Sequence, residues 1–170
     1  MPPVGYQPFP QQQAMGTGQY GSWIARVGAT IVDGIVAALF TAPAYIALLA
    51  GPKEIDFCGS GFEDGSLCRV PTGTSWALFA GLGALGVIGF LVLYCRKVGT
   101  TGQSWGHKVA GLRVVDAQTG STIGGGRALG RYFARILSAL PCYLGFLWPL
   151  WDARKQTFHD KIVGTVVVKA

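Results

Sequence analysis

Apolar residues in this chain gather in long runs and do not recur at the period of an amphipathic helix or strand. From Trp23 to Ala50 the only charged side chains are Arg26 and Asp33, and from Trp76 to Cys95 there are none. Twenty helical residues rise about 30 Å, the thickness of a bilayer's hydrocarbon core, so 23–50 and 76–95 are predicted transmembrane helices. A third run, Ile136 to Trp151, lies uncharged between Arg135 and Asp152 and is marginal for a span. Two β-branched stretches, "GLRVVDAQTG" (111–120) and "GTVVVKA" (164–170), read as strands too short to stand alone. Their remedy is to pair with each other, 111–116 against 164–168, which requires both on one side of the membrane. The apolar run at 132–151 then enters and returns as a re-entrant or interfacial helical hairpin, broken at Pro141 or Pro149. A complete third span, with the carboxyl terminus outside, is the alternative. The expected fold is thus an α-helical integral membrane protein with a small cytoplasmic β-pairing.

Composition agrees. Of 170 residues, 50% are hydrophobic and 13% charged, about half the charged share of a soluble domain. Residues 1–22 hold no charge and are rich in Pro, Gln and Gly, which predicts a disordered tail; without a basic start a cleaved signal peptide is not expected. The membrane domain is placed at 23–168. Of Lys and Arg, loop 51–74 holds only Lys53 and Arg69, whereas 96–135 holds Arg96, Lys97, Lys108, Arg113, Arg127, Arg131 and Arg135. The positive-inside rule therefore predicts a multi-pass cell-membrane protein with the loop extracytoplasmic and both termini cytoplasmic.

Asp33 is the first candidate for chemistry. If Trp23 marks the inner interface, Asp33 lies ~15 Å deep near the bilayer centre, where a carboxylate costs about 2.5–3.5 kcal/mol. It is either an ion or proton site or a paired acid that locks helices together, and Arg26, two turns earlier, leans toward it or toward the interface. Arg127, Arg131 and Arg135 repeat every fourth residue and line one side of a helix. They rest on anionic lipid headgroups, or one of them pairs with Asp152 or Asp160. Cys58 and Cys68 share the outer loop and form a possible disulfide, while Cys95 and Cys142 read as buried thiols. Ala80, Gly83, Gly86 and Gly89 give the second span a small face for helix packing. His107 and His159 sit in no catalytic pattern, and His159 is expected to hydrogen-bond its neighbour Asp160. "GLGALG" (81–86) matches a dinucleotide loop only by letter, since it lies within a membrane helix. No metal, cofactor, nucleic-acid partner or enzymatic activity is expected.

Three stretches in order resemble the RDD membrane proteins, named for one arginine and two aspartates: "ARVGATIVDGIV", "GTTGQSWGHKVAGLRVVDAQTG" and "RKQTFHDKIVGTVVV". The resemblance runs from Trp23 to Val168. This chain lacks the Pro and Lys that the family commonly has near Gln103 and Ser104. What the resemblance implies is a membrane fold, Arg26 and Asp33 as the first two named residues, and Asp160 as the second aspartate. It also implies suspected transport, of protons or sodium ions. Two spans and a hairpin are too small to enclose a pathway, so transport requires a homo-oligomer. The competing expectation is an accessory or scaffold subunit packed against another membrane protein.

Overall fold

Ser22 opens α1 (Trp23–Ala50) by accepting a hydrogen bond from the Ala25 N–H, and Thr72 opens α2 (Gly73–Thr101) in the same way from Ser75. The computed structural model describes residues 20–57, 67–139 and 144–170. Cys58, Pro141, Cys142 and most of the predicted tail lie outside these residues. Among the described residues α1 and α2 are the two helices long and apolar enough to cross a membrane, and only 11% of each apolar window is buried within the protein. A core helix of a soluble protein would be mostly enclosed. α2 is longer than its apolar stretch because Arg96 and Lys97 continue the helix, which ends at Gly102 in the left-handed conformation (φ 72°) that glycine adopts most easily.

Between the long helices, β1 (Lys53–Phe57) and β2 (Leu67–Pro71) form an antiparallel hairpin with Lys53 opposite Pro71. Cys68, on β2, is disulfide-bonded. α1 and α2 pack antiparallel through small residues: a Cβ on Gly86 would stand 2.3 Å from the Phe40 carbonyl oxygen, and one on Gly83 3.6 Å from Ala44. The small face of α2 is thus covered by α1 of the same chain.

Beyond α2 the chain builds a compact end-piece. Ser104 caps α3 (Trp105–Val109), and β3 (Leu112–Asp116) pairs antiparallel with β4 (Thr165–Lys169), Asp116 opposite Thr165. The chain between them therefore returns to where it left. α4 (Gly124–Ala139) packs on α2, and α5 (Leu144–Leu147) turns back onto α4, where a Cβ on Gly145 would meet the Ser138 backbone at 2.7 Å. Pro149 follows this return and sits inside a 3-10 turn at Trp148–Leu150. α6 (Phe158–Val163) leads into β4 through Gly164. The segment ahead of α1 joins this end-piece, with Tyr20 bridged to Val168 and the Gly21 N–H donating to the Val167 carbonyl at 2.9 Å. Ala29, Phe90, Tyr94, Val98, Leu112, Val114 and Val167 form the core where helix ends meet the sheet.

Candidate functional site

Thr157 begins α6 with a reciprocal cap: its hydroxyl accepts from the Asp160 N–H, and Asp160 Oδ2 accepts from the Thr157 N–H at 3.1 Å. Local structure thus fixes the Asp160 carboxylate before any distant residue reaches it. Arg26 Nη1 donates to its Oδ2 at 2.9 Å, and Arg131 Nη1 pairs with its Oδ1 at 2.7 Å. Arg131 also donates to Thr165 Oγ1 at 3.1 Å, while Arg26 Nε donates to the Gly21 carbonyl at 3.2 Å. Asp160 is fully buried, Arg131 2% exposed and Arg26 8%. Burial opposes the charged carboxylate, but the two guanidinium groups more than offset it and hold its pKa well below the usual range. One carboxylate therefore ties α1, α4 and α6 together.

Asp33 is enclosed separately. Its Oδ2 accepts from the Ser104 hydroxyl at 2.6 Å and its Oδ1 from the Gly106 N–H at 2.8 Å. α3 comes this close because residue 106 is glycine: a Cβ there would stand 1.8 Å from the Ala29 carbonyl oxygen. Ser104 Oγ also accepts from the His107 N–H and lies 2.6 Å from His107 Nδ1. With the Ser104 proton directed at Asp33, the proton of a neutral His107 is assigned to Nδ1. Burial, then the fields of Arg131 and Arg135, push His107 well below its ordinary pKa, so it is neutral at pH 7. Arg26 does not lean on Asp33; its carboxylate partner is Asp160.

His159 also departs from expectation. Its Nε2 lies 3.9 Å from Asp160, beyond hydrogen-bond range, and its ring nitrogens instead face Thr157 Oγ1 at 3.0 Å and Ser138 Oγ at 3.1 Å. Burial pulls its pKa down to about 3. The arginines of the stripe contact protein groups, and of the three only Arg131 is buried. Arg127 pairs with Asp116 and donates to the Val163 and Gly164 carbonyls, Arg131 holds Asp160, and Arg135 stands 5.9 Å from the Tyr94 ring. Asp152 pairs with Lys161.

The helix pair also fixes how far along α1 these groups stand. Gly86 faces Phe40 and Thr41, and in antiparallel helices each step up one is a step down the other. Extending that register sets Arg96 level with about Thr30. Asp33 is then level with the end of the uncharged stretch of α2, and Phe40 with its middle. Trp23 is a poor interface marker, because its indole N–H is engaged by the Phe146 carbonyl at 2.9 Å.

A cavity of about 260 Å³ opens between α1 and α4 beside these charges. Arg26, Arg131 and Arg135 approach it from within, and Val27, Ile31 and Phe146 line its apolar side. Among the described residues, no group of three His, Cys, Asp or Glu side chains could hold a metal ion. Sequence reasoning singled out Arg26, Asp33 and Asp160 but missed Ser104, His107, Thr157 and Thr165. The spacing Thr157-x-x-Asp160 was the available signal for a helix start.

Among curated proteins, the chain is similar to a proline-rich antigen homolog of Mycobacterium tuberculosis, 34% identical over 92% of this chain and 66% of that protein. It is 30% identical to a proline-rich antigen of Mycobacterium leprae over 86% of this chain and 60% of that protein. A shorter match, 43% identical over 37% of this chain and 40% of the relative, is to the uncharacterized protein YxaI of Bacillus subtilis. The chain thus spans less than two thirds of the length of these relatives. No solved structure is significantly similar to it. The RDD family model matches residues 20–164, across both long helices, α3, α4 and the whole arginine–aspartate core. The chain belongs to the RDD family.

Proposed function

We propose that this protein is a membrane-anchored accessory subunit whose Arg26, Asp33 and Asp160 are fasteners that hold a rigid basic platform against two transmembrane helices. The observation that carries this reading is how the two aspartates are engaged. Both Asp33 oxygens accept hydrogen bonds from α3, and Asp160 is held by two arginines and a helix cap. Each acid joins α1 or α6 to other elements, and Asp33 faces donors where a sodium ion would need oxygen ligands. The platform, from α3 to β4, carries most of the chain's Lys and Arg, which supports a cytoplasmic position by the positive-inside rule. Placing the β1–β2 hairpin outside and both termini inside follows from the same rule. The helix register supports a membrane boundary near Thr30 and Arg96, because Asp33 to Ala50 then rises about 27 Å, close to the hydrocarbon thickness.

Proton transport through an oligomer is the second reading, favoured by the Asp33–Ser104–His107 series, which leads from α1 to the cavity wall. One pair of measurements separates the two. Native mass spectrometry of protein gently extracted from its own membranes is expected to give a stoichiometric complex with a second membrane protein. Proteoliposomes of the purified chain are expected to move protons and sodium no faster than empty vesicles. Flux that disappears in Asp33→Asn would overturn the accessory reading in favour of transport.

A further inference from the structure

We propose that the cavity between α1 and α4 binds the phosphate headgroup of an anionic phospholipid, with the acyl chains lying along the outward face of α1. The inference starts from the charge balance around the cavity. Asp160 serves Arg26 and Arg131 together, and Asp33 is engaged by Ser104 and Gly106. Among the described residues no carboxylate lies within ion-pair distance of Arg135. The Nε atoms of Arg131 and Arg135 are both buried and have no hydrogen-bond partner among those residues. Arg135 is half-buried with its Nε enclosed, and a guanidinium partly shielded from water without an anion is costly, while its planar fork suits the oxygens of a phosphate.

The apolar side says what carries the phosphate. Val27 is 38% exposed, Ile31 59% and Ile35 58%, one behind another on the surface that α1 turns away from α2. A free phosphate would gain nothing from this wall, whereas the tails of a lipid would cover it. The volume suits a headgroup better than a whole drug-sized ligand, whose pockets run to roughly 300–1,000 Å³. Depth agrees as well: Val27 to Ile31 stand level with the point where Arg96 ends the uncharged stretch of α2, which is headgroup depth for the leaflet on that side. This site is a half-open cavity between α1 and α4, and differs from a basic surface resting on lipid. It rests on α1 and α2 crossing a bilayer but is independent of the accessory and transport readings, and sedimentation with the membrane fraction tests that crossing separately.

The test is native mass spectrometry of the full chain in detergent, titrated with phosphatidylglycerol, phosphatidylcholine or inorganic phosphate. Tight retention of one phosphatidylglycerol and at least about tenfold weaker retention of phosphatidylcholine are expected, a difference of about 1.4 kcal/mol. Arg135→Gln should weaken phosphatidylglycerol about tenfold, while Lys108→Gln, which removes one exposed charge, should not. Val27→Trp fills space in the cavity and replaces no arginine; it should abolish retention with unchanged melting, so the proposal stays testable if Arg135→Gln folds poorly. Equal retention of the two lipids, or no effect of both cavity variants, would overturn the proposal. Displacement of phosphatidylglycerol by millimolar phosphate would assign the cavity to the free anion and overturn it as well.

Discussion

Arg26 and Asp160 lie 134 positions apart and meet at 2.9 Å, in a pocket where the carboxylate is wholly buried. The cap of α6 holds the acid still, and the start of α1 delivers the base. Asp160→Asn would leave two guanidinium groups facing an amide, which should cost about 3–5 kcal/mol. At the size of this chain that is a fall in Tm on the order of 10 °C in detergent. Arg26→Met should cost clearly less in the Asp160→Asn background than in the wild type. Equal costs in both backgrounds would show that the pair contributes nothing.

Gly106 is the closest point between α3 and α1, and an added methyl there would meet Ala29 backbone at 1.8 Å. Backbone cannot swing aside as a side chain can. Gly106→Ala should therefore push α3 off α1, break the hydrogen bond to Asp33, and cost more than the roughly 1–3 kcal/mol of ordinary overpacking. Gly81→Ala, on α2 with nothing within 4 Å, should be neutral or slightly stabilising. Fluorescence-detected gel filtration after heating would separate them, and equal behaviour of the two would refute the assigned packing.

The two apolar runs were plain in the sequence because lipid-facing helices expose nearly all their side chains to one solvent, so hydrophobicity alone marks them. The strand at 164–168 was readable from its β-branched run, and its pairing follows from the isolation of both strands. The β1–β2 hairpin was not: "KEIDF" alternates charge with apolar residues outside any core, and resembles a loop. Asp160 stood out only through the family resemblance, because its neighbours in space come from α1 and α4, far away in sequence. The level of Asp33 relative to α2 was not legible, because one sequence carries no register between two helices; the packing of Gly86 on Phe40 sets Asp33 opposite the end of the uncharged stretch of α2.

Acid should loosen the end-piece well before the carboxylates titrate. Burial holds His159 at about 3, against about 6.5 in the unfolded chain. Below 6.5 the unfolded state binds a proton that the folded state refuses, so this stabilising contribution is present above pH 6.5 and is lost as pH falls toward 3. The slope is about 1.4 kcal/mol per pH unit for His159, and His107, depressed in the same direction, adds to it. Tm should therefore fall steeply between pH 6.5 and 5. His159→Asn, which keeps hydrogen-bonding capacity but not the titration, should flatten that limb; an unchanged limb in His159→Asn and in His107→Asn would refute the assignment.

Asp33→Asn is the variant on which the functional question turns, and its structural consequence follows from proton counting. The oxygen of the new amide can still accept from the Gly106 N–H, but the amide NH₂ now points a donor at Ser104. Ser104 answers by accepting there and rotating its own proton toward His107 Nδ1. His107 must then release Nδ1 and carry its proton on Nε2. The bonds donated by the Gly106 and His107 backbone N–H groups keep their sense and the two made by the Ser104 hydroxyl reverse, so the cost should be at most about 1 kcal/mol, whereas Asp33→Ala orphans a buried N–H and should cost about 1–3 kcal/mol. Nitrogen NMR of labelled histidine at neutral pH should show the exchange of tautomers at His107 and none at His159. A His107 that keeps its proton on Nδ1 in Asp33→Asn would mean that Ser104 does not link the two. If the exchange occurs, the variant is folded with its hydrogen bonds in place, so any loss of ion flux in it would report the chemistry of the carboxyl group and not collapse of the platform.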